Sequence, residues 1–189
     1  MRYRPDHKQG ARERLIDATG TLAKKNGFAA TGVDSLMASA GLTSGAFYTH
    51  FKSKGELLQA IVKNELTRSV ELFSNKTVAQ TVTAIEGYLS LAHVAHPEAG
   101  CAVPSLAAEV SRSDEPTQRV FEVGMVALKD QINAFVHDDA KAWSIIAQLV
   151  GAVMVARAMH SEPVRVALLD AATQQVKQIL MDAPMSHRK

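Results

Sequence analysis

Residues 31–58, TGVDSLMASAGLTSGAFYTHFKSKGELL, constrain the fold more than any other part of the chain. Val33, Leu36, Met37 and Ala40 repeat with helical spacing, and Thr31 ahead of them is a suitable N-cap. Gly41 ends that run, because the turn Ala40-Gly41-Leu42-Thr43 needs a residue tolerant of positive φ. A second short helix follows over 44–51, with Phe47, Tyr48 and Phe51 inside it. Ser53-Lys54-Gly55-Glu56 is then a Ser-x-x-Glu capping box opening a long apolar run. Two short helices joined by a glycine turn are the sequence form of a helix-turn-helix. With Leu36, Ala40, Leu42 and Phe47 packed inward, the outward set is Thr43, Ser44, Gly45, Ala46, Tyr48, Thr49 and His50. These residues are small or hydrogen-bonding, which suits close approach to a major groove. Tyr48 and His50 near the helix end, and Lys54 at a helix N-terminus, suit phosphate oxygens.

The remaining segments repeat their apolar residues with helical spacing, and none sustains period-two alternation. The spacing predicts helices over about 10–26, stopped by Asn26-Gly27, and over about 53–75 and 77–95. His96-Pro97-Glu98-Ala99-Gly100 is a break, after which helices are predicted over 102–113 and from Asp114-Glu115-Pro116 to His137. The last two cover about 139–160 and 163–182, split by Ser161-Glu162-Pro163. The fold class is therefore all-α, with about nine helices. An N-terminal helix-turn-helix domain (1–52) precedes a helical body (53–189), and helix 53–75 links the two.

Charge is placed unevenly: residues 1–65 hold ten Lys/Arg against six Asp/Glu, whereas the whole chain carries a formal net charge of only +2. A basic first third suits a polyanionic partner. One cysteine, Cys101, excludes an intramolecular disulfide and fits a reducing cytoplasm. No run approaches ~18 uninterrupted apolar residues, so no membrane span is predicted. His93-x-x-His96 and Cys101 are the clustered ligand types, but Pro97 breaks the helix directly after them, and a zinc site needs three or four firmly held ligands. Neither a Gly-rich phosphate loop nor a nucleophile–base pairing can be picked out, so no metal, no cofactor and no enzymatic activity are expected. Cys101 follows Gly100 at a helix start, where free amides can activate a thiol; the commoner role of such a residue is a small buried hydrophobe.

The same N-terminal residues resemble the DNA-binding domain of the TetR family of bacterial transcriptional regulators. The likeness covers roughly 11–58 and runs through Gly27-Phe28, Thr31, Val33-Asp34, Ala40-Gly41-Leu42, Ser44-Gly45, Phe47-Tyr48, His50-Phe51 and Lys54. Met37 stands where a small residue is usual, and Gly32 where a hydroxyl is common. The resemblance implies a cytoplasmic regulator, usually a repressor, that binds a palindromic double-stranded operator as a homodimer and is released by a small-molecule inducer. It places Thr43, Ser44, Gly45, Ala46 and Thr49 at base-reading or groove-facing positions, and Thr31, Tyr48, His50 and Lys54 at phosphate-contacting ones.

Apolar faces on the last two helices, including Ile145, Leu149, Val153, Leu169 and Val176, suit either an internal core or a four-helix interface between two copies. The resemblance favours the interface. An inducer cavity is expected among the middle helices, lined from Phe73, Leu89, His93, Cys101, Leu106, Phe121, Met125, Leu128 and Trp143. The alternative function is a dimeric helical binding or adaptor module whose helix-turn-helix no longer reads DNA.

Overall fold

The computed structural model describes residues 5–182, which are helical throughout, with no strand among them. Helix α1 (Pro5–Asn26) is followed by α2 (Val33–Ser39), a 3-10 turn (Ser44–Ala46) and α3 (Phe47–His50). Then come α4 (Lys54–Phe73), α5 (Val78–Tyr88), α6 (Leu91–Ala95), a second 3-10 turn (Pro97–Ala99) and α7 (Val103–Val110). Three long helices complete the chain: α8 (Glu115–Val136), α9 (Asp139–Ala158) and α10 (Glu162–Met181). Ten α-helices thus stand among the described residues where about nine are expected.

The extra one arises because the segment 77–95 is not continuous. Leu89 leaves helical geometry, and the Ser90 hydroxyl caps a new helix by accepting from the His93 amide. At the start of that segment, Thr77 and Gln80 form a reciprocal capping box. At α4 the expected box is modified. Ser53 Oγ accepts from Glu56 N, but the Glu56 carboxylate reaches back to Lys52 N (2.7 Å). Thr31 is not the cap of α2. Gly32 takes that place, and the Thr31 hydroxyl donates to the Gly27 carbonyl (2.6 Å) at the end of α1.

Two hydrophobic clusters carry the packing. The first joins α1–α3 to the N-terminal part of α4 and to α7, through Leu15, Phe28, Leu36, Phe47, Phe51, Ile61, Val62, Leu106 and Val110. The second joins the far end of α4 to α5, α6, α8, α9 and α10. Helix α4 belongs to both, and the first cluster runs across residue 53, so that α1 and the turn after it pack directly on α7. Helix α9 is long and apolar enough to cross a bilayer by composition alone. Its Ala142, Ile145, Leu149, Val153 and Ala156 are nevertheless buried among neighbouring helices, as in the central helix of a folded bundle.

One ion pair lies inside this frame. Lys24 Nζ and Glu65 Oε2 are 2.8 Å apart, and both side chains are at least nine-tenths buried. Both residues fall on buried helical stripes, Ile16–Gly20–Lys24 and Ile61–Glu65. Burying two charges costs several kcal/mol per ion, which the pairing must offset. Lys24→Met leaves the buried Glu65 with only the half-exposed Arg68 guanidinium at 3.8 Å, and should lower stability by roughly 3–5 kcal/mol. Lys24→Met/Glu65→Leu, an apolar pair of similar volume, should return within about 1–2 kcal/mol of the parent. Urea unfolding of the parent, single and double variants checks both expectations.

Candidate functional site

The helix-turn-helix is closed by backbone chemistry at Gly41. Its φ is 70°, the Gly41 amide donates to Ala38 O and the Leu42 amide to Met37 O. These are the paired hydrogen bonds of a Schellman ending, and Leu42 then packs into the first core. Phe47 and Phe51 anchor the second helix from beneath, with ring centroids 6.0 Å apart and the Arg12 guanidinium 4.8 Å from the Phe51 ring. Tyr48 meets the edge of Phe47 and stands outward, 76% exposed.

Around Tyr48, Thr43, Ser44, Gly45 and Thr49 are exposed, while Ala46 and His50 are half-buried. The expected groove-facing residues therefore share one surface. Two of their hydroxyls are already donating internally: Ser44 Oγ to the Asp34 carboxylate, and Thr49 Oγ1 to Ala46 O (2.6 Å). Each keeps lone pairs free as acceptors. The His50 Nδ1 atom is buried without a hydrogen-bonding partner. Thr31 lies apart from the exposed set, buried and committed to Gly27.

Lys54 sits at the α4 N-terminus, with its ammonium donating to Ala29 O (3.2 Å) and lying 4.8 Å from the centre of the Phe28 ring. From the opposite side, the Glu109 carboxylate of α7 accepts from Phe28 N (2.7 Å) and Ala29 N (2.6 Å). The turn after α1 is thus gripped by α4 and α7 together.

A second candidate site is a cavity of about 700 Å³ between α4, α5, α6, the 97–101 turn and the end of α1. Its wall includes Lys24, Glu65, Arg68, Tyr88, His93 and Cys101. His93 organises the wall. Cys101 N donates to His93 Nε2 (3.2 Å), which puts the ring proton on Nδ1, where it donates to Tyr88 O (2.6 Å). Burial lowers the His93 pKa, and the Tyr88 carbonyl opposes this only in part. Burial also pushes the Tyr88 phenol well up, with Cys101 beside it adding to the effect. Arg157 of α9 donates to His93 O (3.1 Å) and Ser105 Oγ (3.0 Å), holding α6 and α7 on the bundle. Gly100 lies so close beneath His93 that a Cβ there would be 2.1 Å from Nε2.

With this geometry in view, the sequence model described as bacterial regulatory proteins of the tetR family matches residues 15–61. The matched segment, about a quarter of the chain, is similar to the DNA-binding domain of that family. The Bacillus subtilis (strain 168) protein described as the uncharacterized HTH-type transcriptional regulator YerO is 38% identical over 64 residues, 34% of this chain and 22% of that one. The transposon Tn10 TetC protein of Escherichia coli is 35% identical over 63 residues, 33% of this chain and 32% of that one. The chain therefore spans about a fifth to a third of the length of these curated relatives.

Likeness of fold extends much further. The reduced form of NemR from E. coli superposes with a TM-score of 0.77 at 19% identity, covering 94% of this chain and 100% of that one. A TetR transcriptional regulator from Chloroflexus aurantiacus gives 0.73 at 22% identity, covering 92% and 96%. FadR from B. subtilis, solved in complex with stearoyl-CoA, gives 0.66 at 15%, covering 90% and 98%. The body thus shares the fold of these solved regulators.

Of the nine residues expected to line a cavity in the helical body, His93 and Cys101 border the large one. Phe73 and Leu128 face a separate apolar slot of about 30 Å³ that also reaches Cys101. The other five lie elsewhere. Leu106 and Phe121 bound a void of about 10 Å³, Leu89 is buried in the second core, and Met125 fills the seam between the two cores. Trp143 is 41% exposed on α9. Apolar spacing marks these side chains as core without saying which core atoms border empty space. Sequence reasoning missed Lys24, Glu65, Arg68 and Tyr88. The readable signal was a charge at a buried helical register: Glu65 follows Ile61 by four residues.

Two outcomes follow for this wall. Gly100→Ala forces the His93 ring aside and should cost roughly 1–3 kcal/mol, as overpacking does, in urea unfolding. A histidine whose folded pKa lies below its ordinary value of 6.5 favours folding in its neutral form. That stability is fully present above about pH 6.5, and it declines as pH falls below that value through the folded pKa. His93→Gln should remove this part of the acid slope, as read from unfolding midpoints across that window.

Proposed function

We propose that this protein is a cytoplasmic, homodimeric DNA-binding transcriptional regulator, a repressor released from a palindromic operator when a small molecule occupies the cavity. The observation that carries the reading is the exposed surface of Thr43, Ser44, Gly45, Tyr48 and Thr49, raised on a Gly41-closed helix-turn-helix inside the segment matched by the family. Ser44, Thr49, Gly45, Ala46 and Thr43 are its candidate base-reading or groove-facing residues. Tyr48, His50 and Lys54 are its candidate phosphate contacts, and Thr31 supports the turn from inside. The division of labour falls near residue 53 even though the packing is continuous there.

Dimerisation is supported by the outer surface of α9 and α10. Val155, Met154 and Val164 are exposed, and a groove of about 330 Å³ runs between the helices along small residues such as Gly151, Ala171 and Ala172. Such a surface suits the same two helices of a second copy. The cavity supports the inducer, since it is large enough for a small molecule and joins apolar wall to a few polar groups. The relatives do not carry over an inducer's identity: stearoyl-CoA belongs to FadR.

A footprint on the DNA upstream of the protein's own gene tests this reading. Two half-sites in successive major grooves on one side of the duplex are expected, because a two-fold axis must bring both recognition helices to bases. A monomer protecting one isolated half-site, or no protection at all, contradicts it. Affinity should fall with salt at a slope of about −0.9 per neutralised phosphate. Lys54→Ala should weaken binding to all sequences alike and reduce that slope by about one unit, whereas Ser44→Ala or Thr49→Ala should shift base preference by about 1–3 kcal/mol.

A further inference from the structure

Among the described residues, polar groups tie α1 and the turn after it to the rest of the protein at four places. Lys54 and Glu109 grip residues 28 and 29, and neither borders the large cavity. Asp17 meets Asn64 and Arg68; Arg68 does border the cavity, but its side chain is 52% exposed and water screens the pair. The fourth tie is different. Lys24 is buried, borders the cavity, and donates both to Glu65 (2.8 Å) and to the Gly100 carbonyl (2.9 Å).

Gly100 is also the residue on which the His93 ring rests, and the next amide, Cys101 N, donates to that ring. The cavity wall and the end of α1 are therefore connected through four residues: His93 rests on the backbone of Gly100 and Cys101, and that backbone on Lys24. A molecule bound between Tyr88, His93 and Cys101 that pushes the imidazole or the 97–101 turn aside acts directly on these contacts. Either movement shifts the Gly100 carbonyl. A buried ammonium cannot lose an acceptor cheaply, so Lys24 must follow or be left short of a partner. Lys24 lies in the last turn of α1, whose Leu15 and Ile16 pack in the same core as Leu36, Phe47 and Phe51 of the helix-turn-helix.

We propose that the Lys24–Glu65 pair together with the Gly100 carbonyl is the coupling element that carries occupancy of the cavity to the helix-turn-helix. Lys24 and Glu65 are positioning residues in this account: they hold α1 against the cavity wall. The Glu109 grip on Phe28 and Ala29 is the fixed point against which the end of α1 shifts. The proposal rests on the regulatory reading only for its consequence at DNA, since the mechanical link belongs to the chain itself.

Cys101 supplies the test, because it is the one cysteine in the chain and borders the cavity. N-ethylmaleimide attached there serves as the probe that fills the site. Amide hydrogen exchange over residues 10–50 is followed with and without the label, in the full chain and in Lys24→Met/Glu65→Leu. In the parent, labelling should raise exchange severalfold in the last turn of α1, while the Phe28 and Ala29 amides held by Glu109 respond less. In the double variant the label should leave that region unchanged, while exchange around Cys101 itself still responds.

An equal response in parent and variant, or no response in the parent, overturns the proposal. If the apolar pair does not fold, Lys24→Gln/Glu65→Gln serves in its place, because a glutamine side chain at position 24 is too short to reach Gly100; the same two results decide. Cys101→Ser treated with the reagent should show no change, and a change there would overturn the assignment of the effect to the cavity. DNA binding is scored separately by mobility shift. Unlabelled protein that shifts no duplex refutes the regulatory reading, while the exchange result still judges the coupling.

Discussion

A buried ammonium group fixes the neighbours it must have, and in this protein Lys24 has two: the Glu65 carboxylate and the Gly100 carbonyl. They come from α4 and from the turn before α7, so one charge holds three segments that are far apart in sequence. Breaking either contact leaves a desolvated charge without full compensation, whereas an exposed ion pair in the same place would cost little to break. The helix-turn-helix is consequently seated on the body by a contact that tolerates little local movement. Glu109 adds a second rigid seat by accepting two backbone amides of the turn after α1.

Much of this architecture was legible in the sequence because its punctuation is local. Gly27 and Gly41 have positive φ where the helix ends predicted it, Asp114 caps α8 where that helix is predicted to begin, and Ser53 caps α4. The errors were local as well. Ser90 starts a new helix where apolar spacing ran on, because a hydroxyl capping the His93 amide competes well with one more helical residue. Thr31 looks like a cap by type, but its hydroxyl meets a free carbonyl at the end of α1 first.

The candidate sites were unequally legible for a physical reason. The candidate DNA-facing residues, 43–50 and 54, lie within about forty ångströms of extended chain and share one short motif, so spacing alone collects them. The cavity is assembled from α1, α4, α5, α6 and the 97–101 turn, and no periodicity reports which helices will meet. His93 and Cys101 border the cavity from either side of the Pro97–Gly100 break. Lys24, Glu65 and Arg68 were missed because charged side chains in helices are ordinarily solvated, and only the register of Glu65 among Ile61, Val62 and Leu66 hinted otherwise.

If the candidate DNA-facing surface and the cavity are mechanically connected, as proposed, events at one are felt at the other. The most direct measurement is the rate at which N-ethylmaleimide alkylates Cys101, with and without a saturating duplex carrying the footprinted site. Occupation of the helix-turn-helix by DNA should hold α1 and the Gly100 turn in place and slow alkylation severalfold. An alkylation rate that is identical in free and DNA-bound protein would contradict the account.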